Sequence, residues 1–295
     1  MTDFQSQYAD VNDIRSHYVS VGQGRLIMFV HGFPEFWYEW EKQLVEFGRD
    51  HQAVAPDMRG YNLSSKPAEV DKYHINNLIE DLRALAEYLG HAKCIMVAHD
   101  WGGAVAWSVA MRHPELLEKL IIVNSPHPAV FARELLSNPD QQQASQYMLL
   151  LRSTEAERVL SENNYARLMD VLVQFGSKWE LSEEKRLKYI EAWSRPGALT
   201  GSLNYYRASP LYPPTSEADE EKIGGILDLP QEMFEVKVPT LVIWGEQDRA
   251  LLTGNLDGLE DYIADLTIKR IPDGTHWVIH EQPELVNSLI RDFIE

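Results

Sequence analysis

Apolar positions along this chain fall into two rhythms. Arg25 to His31 (RLIMFVH), Gln52 to Pro56 (QAVAP), Lys93 to His99 (KCIMVAH), Leu120 to Val123 (LIIV) and Pro239 to Trp244 (PTLVIW) are short apolar runs. Runs of that length suit strands covered on both faces. Leu266 to Ile271 reads as a last strand. Between the runs the spacing turns helical. Over Ile75 to Leu89, the residues Leu78, Leu82, Leu85 and Leu89 share one face, and Gly90 stands where a C-terminal cap belongs. Gly102 to Arg112 predicts the next helix. A final helix starts near Pro283, a residue suited to a first helical position, with Leu285, Leu289 and Phe293 as its apolar face. Phe131 to about Arg207 keeps helical periodicity and offers no strand. Tyr212-Pro213-Pro214 and the acidic stretch Glu217 to Glu221 read as a linker back to the sheet.

Strands alternating with helices imply an α/β fold, a mostly parallel sheet flanked by helices. The all-helical middle reads as an insertion that splits it. This gives a core formed by residues 1–130 and 216–295, with an inserted helical cap, or lid, at 131–215. Ligands of such sheets bind outside the carboxyl ends of the strands. His31, Asp57, Asp100, Asn124, Asp248 and His276 fall at those ends.

Composition narrows the choice of partner. The 295 residues include 27 basic and 45 acidic side chains, a net charge of −18. Nucleic acids and anionic membranes need basic patches, so neither is expected as a partner. No apolar run is long enough to span a bilayer. The opening stretch MTDFQSQYADVND lacks the basic and apolar regions of a secretion signal. Cys94 is the only cysteine and sits in a predicted strand, so it reads as packing, and a cytoplasmic location is expected. There is no zinc-type or phosphate-loop motif, and hence no expected metal or cofactor. There are no internal repeats.

The candidate chemistry lies at Ile95 to Trp107 (IMVAHDWGGAVAW). A strand runs into Ala98-His99-Asp100-Trp101-Gly102, and small residues follow. This is the small-x-nucleophile-x-small pattern of a nucleophile elbow, with Asp100 where most hydrolases place Ser. A serine esterase is therefore not expected. Asp248 follows a strand in WGEQD, and His276 follows the last strand in DGTHW. The order nucleophile, acid, histidine is that of the α/β-hydrolase triad. Taken singly, Asp100 could be a helix cap and Asp248 a turn residue. Asn124 ends a strand, but an amide cannot serve as the acid.

The stretches HGFPEFWYEW (31–40), APDMRGY (55–61), HDWGG (99–103), NSPHP (124–128), PGALTGSLNYYR (196–207), WGEQD (244–248) and DGTHW (273–277) go further. Together and in order they resemble the epoxide hydrolases of the α/β-hydrolase superfamily, over nearly the whole chain. The resemblance implies an α/β-hydrolase fold with a helical cap, and conversion of a small apolar epoxide to a vicinal diol. In that chemistry Asp100 attacks an sp3 carbon and forms an ester, which water can then cleave. His276 deprotonates that water and Asp248 orients the histidine. The Trp101 N–H donates to the oxyanion, and the family's H-G-x-P loop supplies a second donor, the Phe33 N–H. The family also brings two lid tyrosines to the epoxide oxygen. Tyr206 in Asn204-Tyr205-Tyr206-Arg207 matches one position, with Tyr205 where relatives often have Trp. Tyr147 is the candidate for the other, with Tyr165 as fallback. His31 reads as support for its loop, His99 and His127 as satisfied partners, and Trp37, Tyr38 and Trp40 as packing against the lid.

Two alternatives stand beside this reading. A haloalkane dehalogenase uses the same Asp nucleophile and often the same H-D-W-G. Its common halide-binding Asn after H-G is Phe33 here. A ligand-binding protein on the same scaffold would not need Asp100, Asp248, His276 and the loop together. A monomer or homodimer is expected.

Overall fold

The computed structural model describes residues 4–174 and 181–295. The expectations for residues 1–3 of the polar opening stretch, and for 175–180 of the helical middle, lie outside them. Strands β1 (Gln5–Val11), β2 (Ile14–Val21), β3 (Leu26–Val30), β4 (Gln52–Pro56), β5 (Cys94–His99), β6 (Leu117–Val123), β7 (Thr240–Gly245) and β8 (Leu266–Ile271) form one sheet. Its order is β1-β2-β4-β3-β5-β6-β7-β8. The pairs β1–β2 and β2–β4 are antiparallel, and the rest are parallel.

The six strands expected from apolar runs are all present. The β1–β2 hairpin was not expected. Its turn is Asn12-Asp13, both at positive φ, as a two-residue hairpin turn requires. Side-chain alternation explains the core. Leu26, Met28 and Val30 of β3, with Met96 and Ala98 of β5, face one side of the sheet. Ile27 and Phe29, with Ile95 and Val97, face the other.

Helix α1 (Glu41–Phe47) covers the second side through Leu44 and Phe47. Helix α2 (Ile75–Tyr88) covers the first through Leu78, Leu82 and Leu85. Gly90 sits after it at φ +83. Helix α3 (Asp100–Arg112) also lies on the first side, and it starts at Asp100 itself, two residues before the expected start.

Between β6 and β7 the described residues form helices α4 (Pro128–Ser137), α5 (Pro139–Ala144), α6 (Tyr147–Arg152), α7 (Ala156–Gln174, interrupted by non-helical backbone at Glu162–Tyr165), α8 (Glu183–Ser194), α9 (Ala198–Ala208) and α10 (Glu217–Leu227). The acidic stretch 217–221 is therefore a helix start and not a linker. Ser216 caps it by accepting from the Asp219 N–H, and acids in a first turn complement the helix dipole. Helix α10 packs on α4 and buries Ile223.

After β8 come α11 (Val278–Glu281) and α12 (Pro283–Ile294). Helix α12 starts at Pro283 as expected, but its buried face is Val286, Ile290 and Ile294. Leu285 is exposed, and Leu289 and Phe293 only flank the core. Of the aromatic run 37–40, Tyr38 meets the lid side, edge-on against Tyr189 of α8. Trp40 is buried beneath the sheet against Phe29, and Trp37 packs on Phe4. No helix among the described residues is long and apolar enough to cross a membrane.

Candidate active site

Asp100 opens α3 directly after β5, at φ +49, a strained backbone for a residue with a Cβ. Small neighbours permit the turn. A Cβ on Gly32 would come within 2.4 Å of the Asp100 side chain, and one on Gly102 within 2.3 Å of the Val30 carbonyl oxygen. The Phe33 N–H donates to Asp100 Oδ1 at 2.7 Å. Trp101 is the second residue of α3, where helix amides lack intrahelical acceptors. Of the two expected oxyanion donors, the Phe33 amide thus contacts the carboxylate, and the Trp101 amide lies in the first turn of the helix.

Asp100, Asp248 and His276 converge at the carboxyl end of the sheet. His276 Nε2 is 3.7 Å from Asp100 Oδ2, and His276 Nδ1 is 2.7 Å from Asp248 Oδ2. The Ala250 and Leu251 N–H groups donate to Asp248 Oδ1 at 2.8 and 2.9 Å. Asn124 donates to Asp248 Oδ2 at 2.8 Å, and its own Oδ1 accepts from the Gly245 N–H. The amide that could not be the acid therefore holds the acid. Burial pushes the Asp248 carboxyl up, but His276, the Leu251 amide and Asn124 outweigh it, and the net shift is downward. Burial works against the His276 imidazolium too. Asp248 and then Asp100 overcome it and raise this histidine to about 9. The two neighbouring carboxylates thus favour its protonated form.

Tyr147 and Tyr206 line the same cavity as Asp100 and His276, with ring centroids 6.4 Å apart. Burial first, then nearby Asp100, pushes the Tyr147 phenol up. Burial, Tyr147 and Asp100 do the same to Tyr206. Both remain protonated donors over the whole neutral range. Tyr165 is not among the residues lining this cavity. It packs on Trp193 of α8, so the fallback assignment fails. Tyr205 turns away and donates to the Arg59 carbonyl oxygen at 2.8 Å. His31 and Asp57 hold loops: His31 accepts from the Met58 N–H, and Asp57 bonds His17, Asn62 and the Trp37 N–H. His127 contacts the Phe234 carbonyl oxygen at 3.0 Å.

Sequence reasoning missed a buried polar network behind the triad. His99 contacts the carbonyl oxygen of His276 through Nε2 (3.0 Å) and Glu39 Oε1 through Nδ1 (2.5 Å). Burial and His276 depress His99 to about 3, so it is neutral with one ring proton. A carbonyl can only accept, which assigns that proton to Nε2. The Nδ1 lone pair then faces Glu39, whose carboxyl must supply the remaining hydrogen. Burial and neighbouring Glu35 raise Glu39, in agreement with a neutral acid. Glu35 in turn accepts from Tyr189 Oη at 2.6 Å and contacts His280 at 2.9 Å. Glu35, Glu39 and His280 offer ligand atoms within 4.8 Å of one another, the only such group among the described residues. Glu35 is engaged on both oxygens and Glu39 carries a proton, so this set reads as a hydrogen-bond network and not as a metal centre. Glu39→Gln keeps a donor for His99 and should retain most of the activity. Glu39→Ala strands the Nδ1 lone pair and should slow turnover about tenfold, an effect read from steady-state rates of the two folded variants.

Comparison with known proteins gives this geometry a context. The model of the alpha/beta hydrolase fold family matches residues 25–283. A Bacillus subtilis protein, AB hydrolase superfamily protein YfhM, is 36% identical, the match covering 100% of this chain and 99% of the relative. Epoxide hydrolase 4 of Mus musculus is 35% identical over 98% of this chain and 79% of its own length. The crystal structure of Bacillus megaterium epoxide hydrolase in complex with an inhibitor superposes with a TM-score of 0.89 at 37% identity, covering 98% of this chain and 99% of that one. With the sheet order, the strained elbow and these matches in agreement, the chain belongs to the alpha/beta hydrolase fold family.

Proposed function

We propose that this protein is an epoxide hydrolase, with the helices of 131–215 as the cap over its site. The observation that carries the reading is one cavity lined by Asp100, His276 and two protonated phenols, Tyr147 and Tyr206. The relatives named as epoxide hydrolases support it. Asp100 Oδ1 is held by the Phe33 amide, which leaves Oδ2 to attack an epoxide carbon. The ring C–O bond breaks, and a tyrosine proton passes to the departing oxygen. An aspartyl ester results. His276 then takes a proton from water, and the hydroxide adds to the ester carbonyl at Cγ of Asp100. The Phe33 and Trp101 amides hold the oxyanion, which collapses to release the diol. The imidazolium proton returns to the tyrosine, so no proton is gained or lost.

Ester formation also prepares the base. Asp100 is one of the groups that raise His276, and as an ester it is uncharged. The histidine therefore loses part of its upward shift when it must become neutral. The ester-hydrolysis rate should climb with pH around an apparent pKa below 9. Stopped-flow tryptophan fluorescence would follow it, since Trp101 and Trp277 flank the site. A rate that is flat or falls from pH 6 to 9 would exclude His276 as the base.

The first test is turnover. Purified protein is offered styrene oxide and aliphatic epoxides in parallel with 1-bromobutane and 1,2-dibromoethane. Diol without halide is the expected result. Halide without diol would transfer the assignment to dehalogenation. Neither product from folded protein would count against both.

A further inference from the structure

The cavity has two unequal arms. A narrow one of about 80 Å³ extends past Trp101 toward Phe131 and Met148. The wide one, about 550 Å³, is walled by Leu150, Leu151, Leu160 and Val171, and its lining includes Arg167, Asp170 and Arg249. All three charged side chains are exposed. Arg167 lies on α7, and Arg249 follows Asp248 in the core, so the two cations come from different elements.

Their lack of partners is distinctive. The other arginines engage carboxylates, an amide, backbone carbonyls or an aromatic face. Arg167 and Arg249 have no ion pair or hydrogen bond among the described residues, and neither does Asp170. In a chain of net charge −18, acidic partners are plentiful, yet these two guanidiniums remain unclaimed at one cavity. Guanidinium forks suit carboxylates, and an exposed pair loses little hydration on binding one.

We propose that Arg167 and Arg249 form a carboxylate subsite in the wide arm. The preferred substrates are then epoxides whose apolar chain ends in a carboxylate, the ring at Asp100 and the chain along the leucines. Asp170 opposes the anion and limits its affinity. The substrate assignment rests on the epoxide hydrolase reading; the subsite itself does not.

Binding without turnover tests the subsite. Calorimetry would compare decanoate with decanol on the full-length protein. The decanoate-to-decanol affinity ratio should fall about tenfold in Arg167→Gln/Arg249→Gln and part of the way in each single variant. It should rise in Asp170→Asn, and in the native protein it should fall as salt is added. An unchanged ratio in the double variant, or in either single variant if the double does not fold, would overturn the subsite. The catalytic arm compares kcat/KM for a long-chain terminal-epoxide acid and its methyl ester, with the acid preferred in the native protein and the preference lost in the arginine variants. Diol formation with no charge preference removes the subsite alone. Charge-dependent binding with no diol from any epoxide removes the hydrolase reading and leaves the subsite standing.

Discussion

Replacing His276 with Gln should trap the protein as an ester on Asp100. The two half-reactions make different demands on this residue. Attack on the epoxide needs an ionised Asp100 and a proton donor to the ring oxygen, and His276 is neither. Cleavage of the ester needs a base for water, and His276 Nε2, 3.7 Å from Asp100 Oδ2, is the basic group on that side. Loss of a general base typically lowers a step by 10²–10⁴-fold. Alkylation should stay within about an order of magnitude of native while hydrolysis drops by about 10³. The ester then accumulates within one turnover, and the intact protein gains the mass of one epoxide. Peptide mapping should place the gain on the segment containing Asp100. Glutamine preserves shape, and its amide can still bond Asp248, so a thermal melt close to native is expected. A folded variant that turns over without an adduct would remove His276 from the hydrolytic step.

Much of this site was legible because elbow chemistry writes itself into short stretches. Close approach demands Gly32 and Gly102, and the topology fixes the order Asp100, Asp248, His276. What escaped has physical reasons. The β1–β2 hairpin lies at the sheet edge, where β1 is largely exposed and therefore polar; only the Asn12-Asp13 turn announces it. On α12, Leu285-Leu289-Phe293 and Val286-Ile290-Ile294 are adjacent stripes of equal apolarity. The approach of the helix to the sheet decides between them, and periodicity does not encode that. Glu39 sits inside the aromatic run FWYEW, where a buried acid leaves no pattern; it is intelligible only with His99 and the His276 carbonyl beside it. Ser216 with Asp219 three residues later was a readable helix start, masked by its acidity. Tyr205 and Tyr206 are neighbours in sequence that point to different tasks, one at a carbonyl and one in the cavity.

That division of labour sets the second large effect, which falls on alkylation. An alkoxide is a poor leaving group, so the proposed ring opening relies on the phenols of Tyr147 and Tyr206, which line the cavity. Their upward shifts keep both protons in place, and burial strengthens each hydrogen bond to a developing charge. Removing one preorganised donor of this kind costs about 2.7–4 kcal/mol, roughly 10²–10³ in rate. Tyr206→Phe and Tyr147→Phe should each slow alkylation by about 10², because the remaining phenol still donates. The double variant should lose about 10⁴ or more, and any departure from multiplicity measures how far the pair acts as a unit. Ester hydrolysis, which depends on His276 and the Phe33 and Trp101 amides, should change little in either single variant. Single-turnover traces separate the phases, because a slow first phase followed by a native second phase is the signature of a lost donor. Tyr206 also packs edge-on against the rings of Phe33 and Trp101, the residues whose amides are the proposed oxyanion donors. Phenylalanine retains that ring, and Tyr206→Ala does not. If Tyr206→Ala slows ester hydrolysis while Tyr206→Phe leaves it intact, the hydroxyl and the ring act on different half-reactions. If Tyr206→Phe leaves alkylation at the native rate, Tyr206 is packing alone and Tyr147 is the sole proton donor.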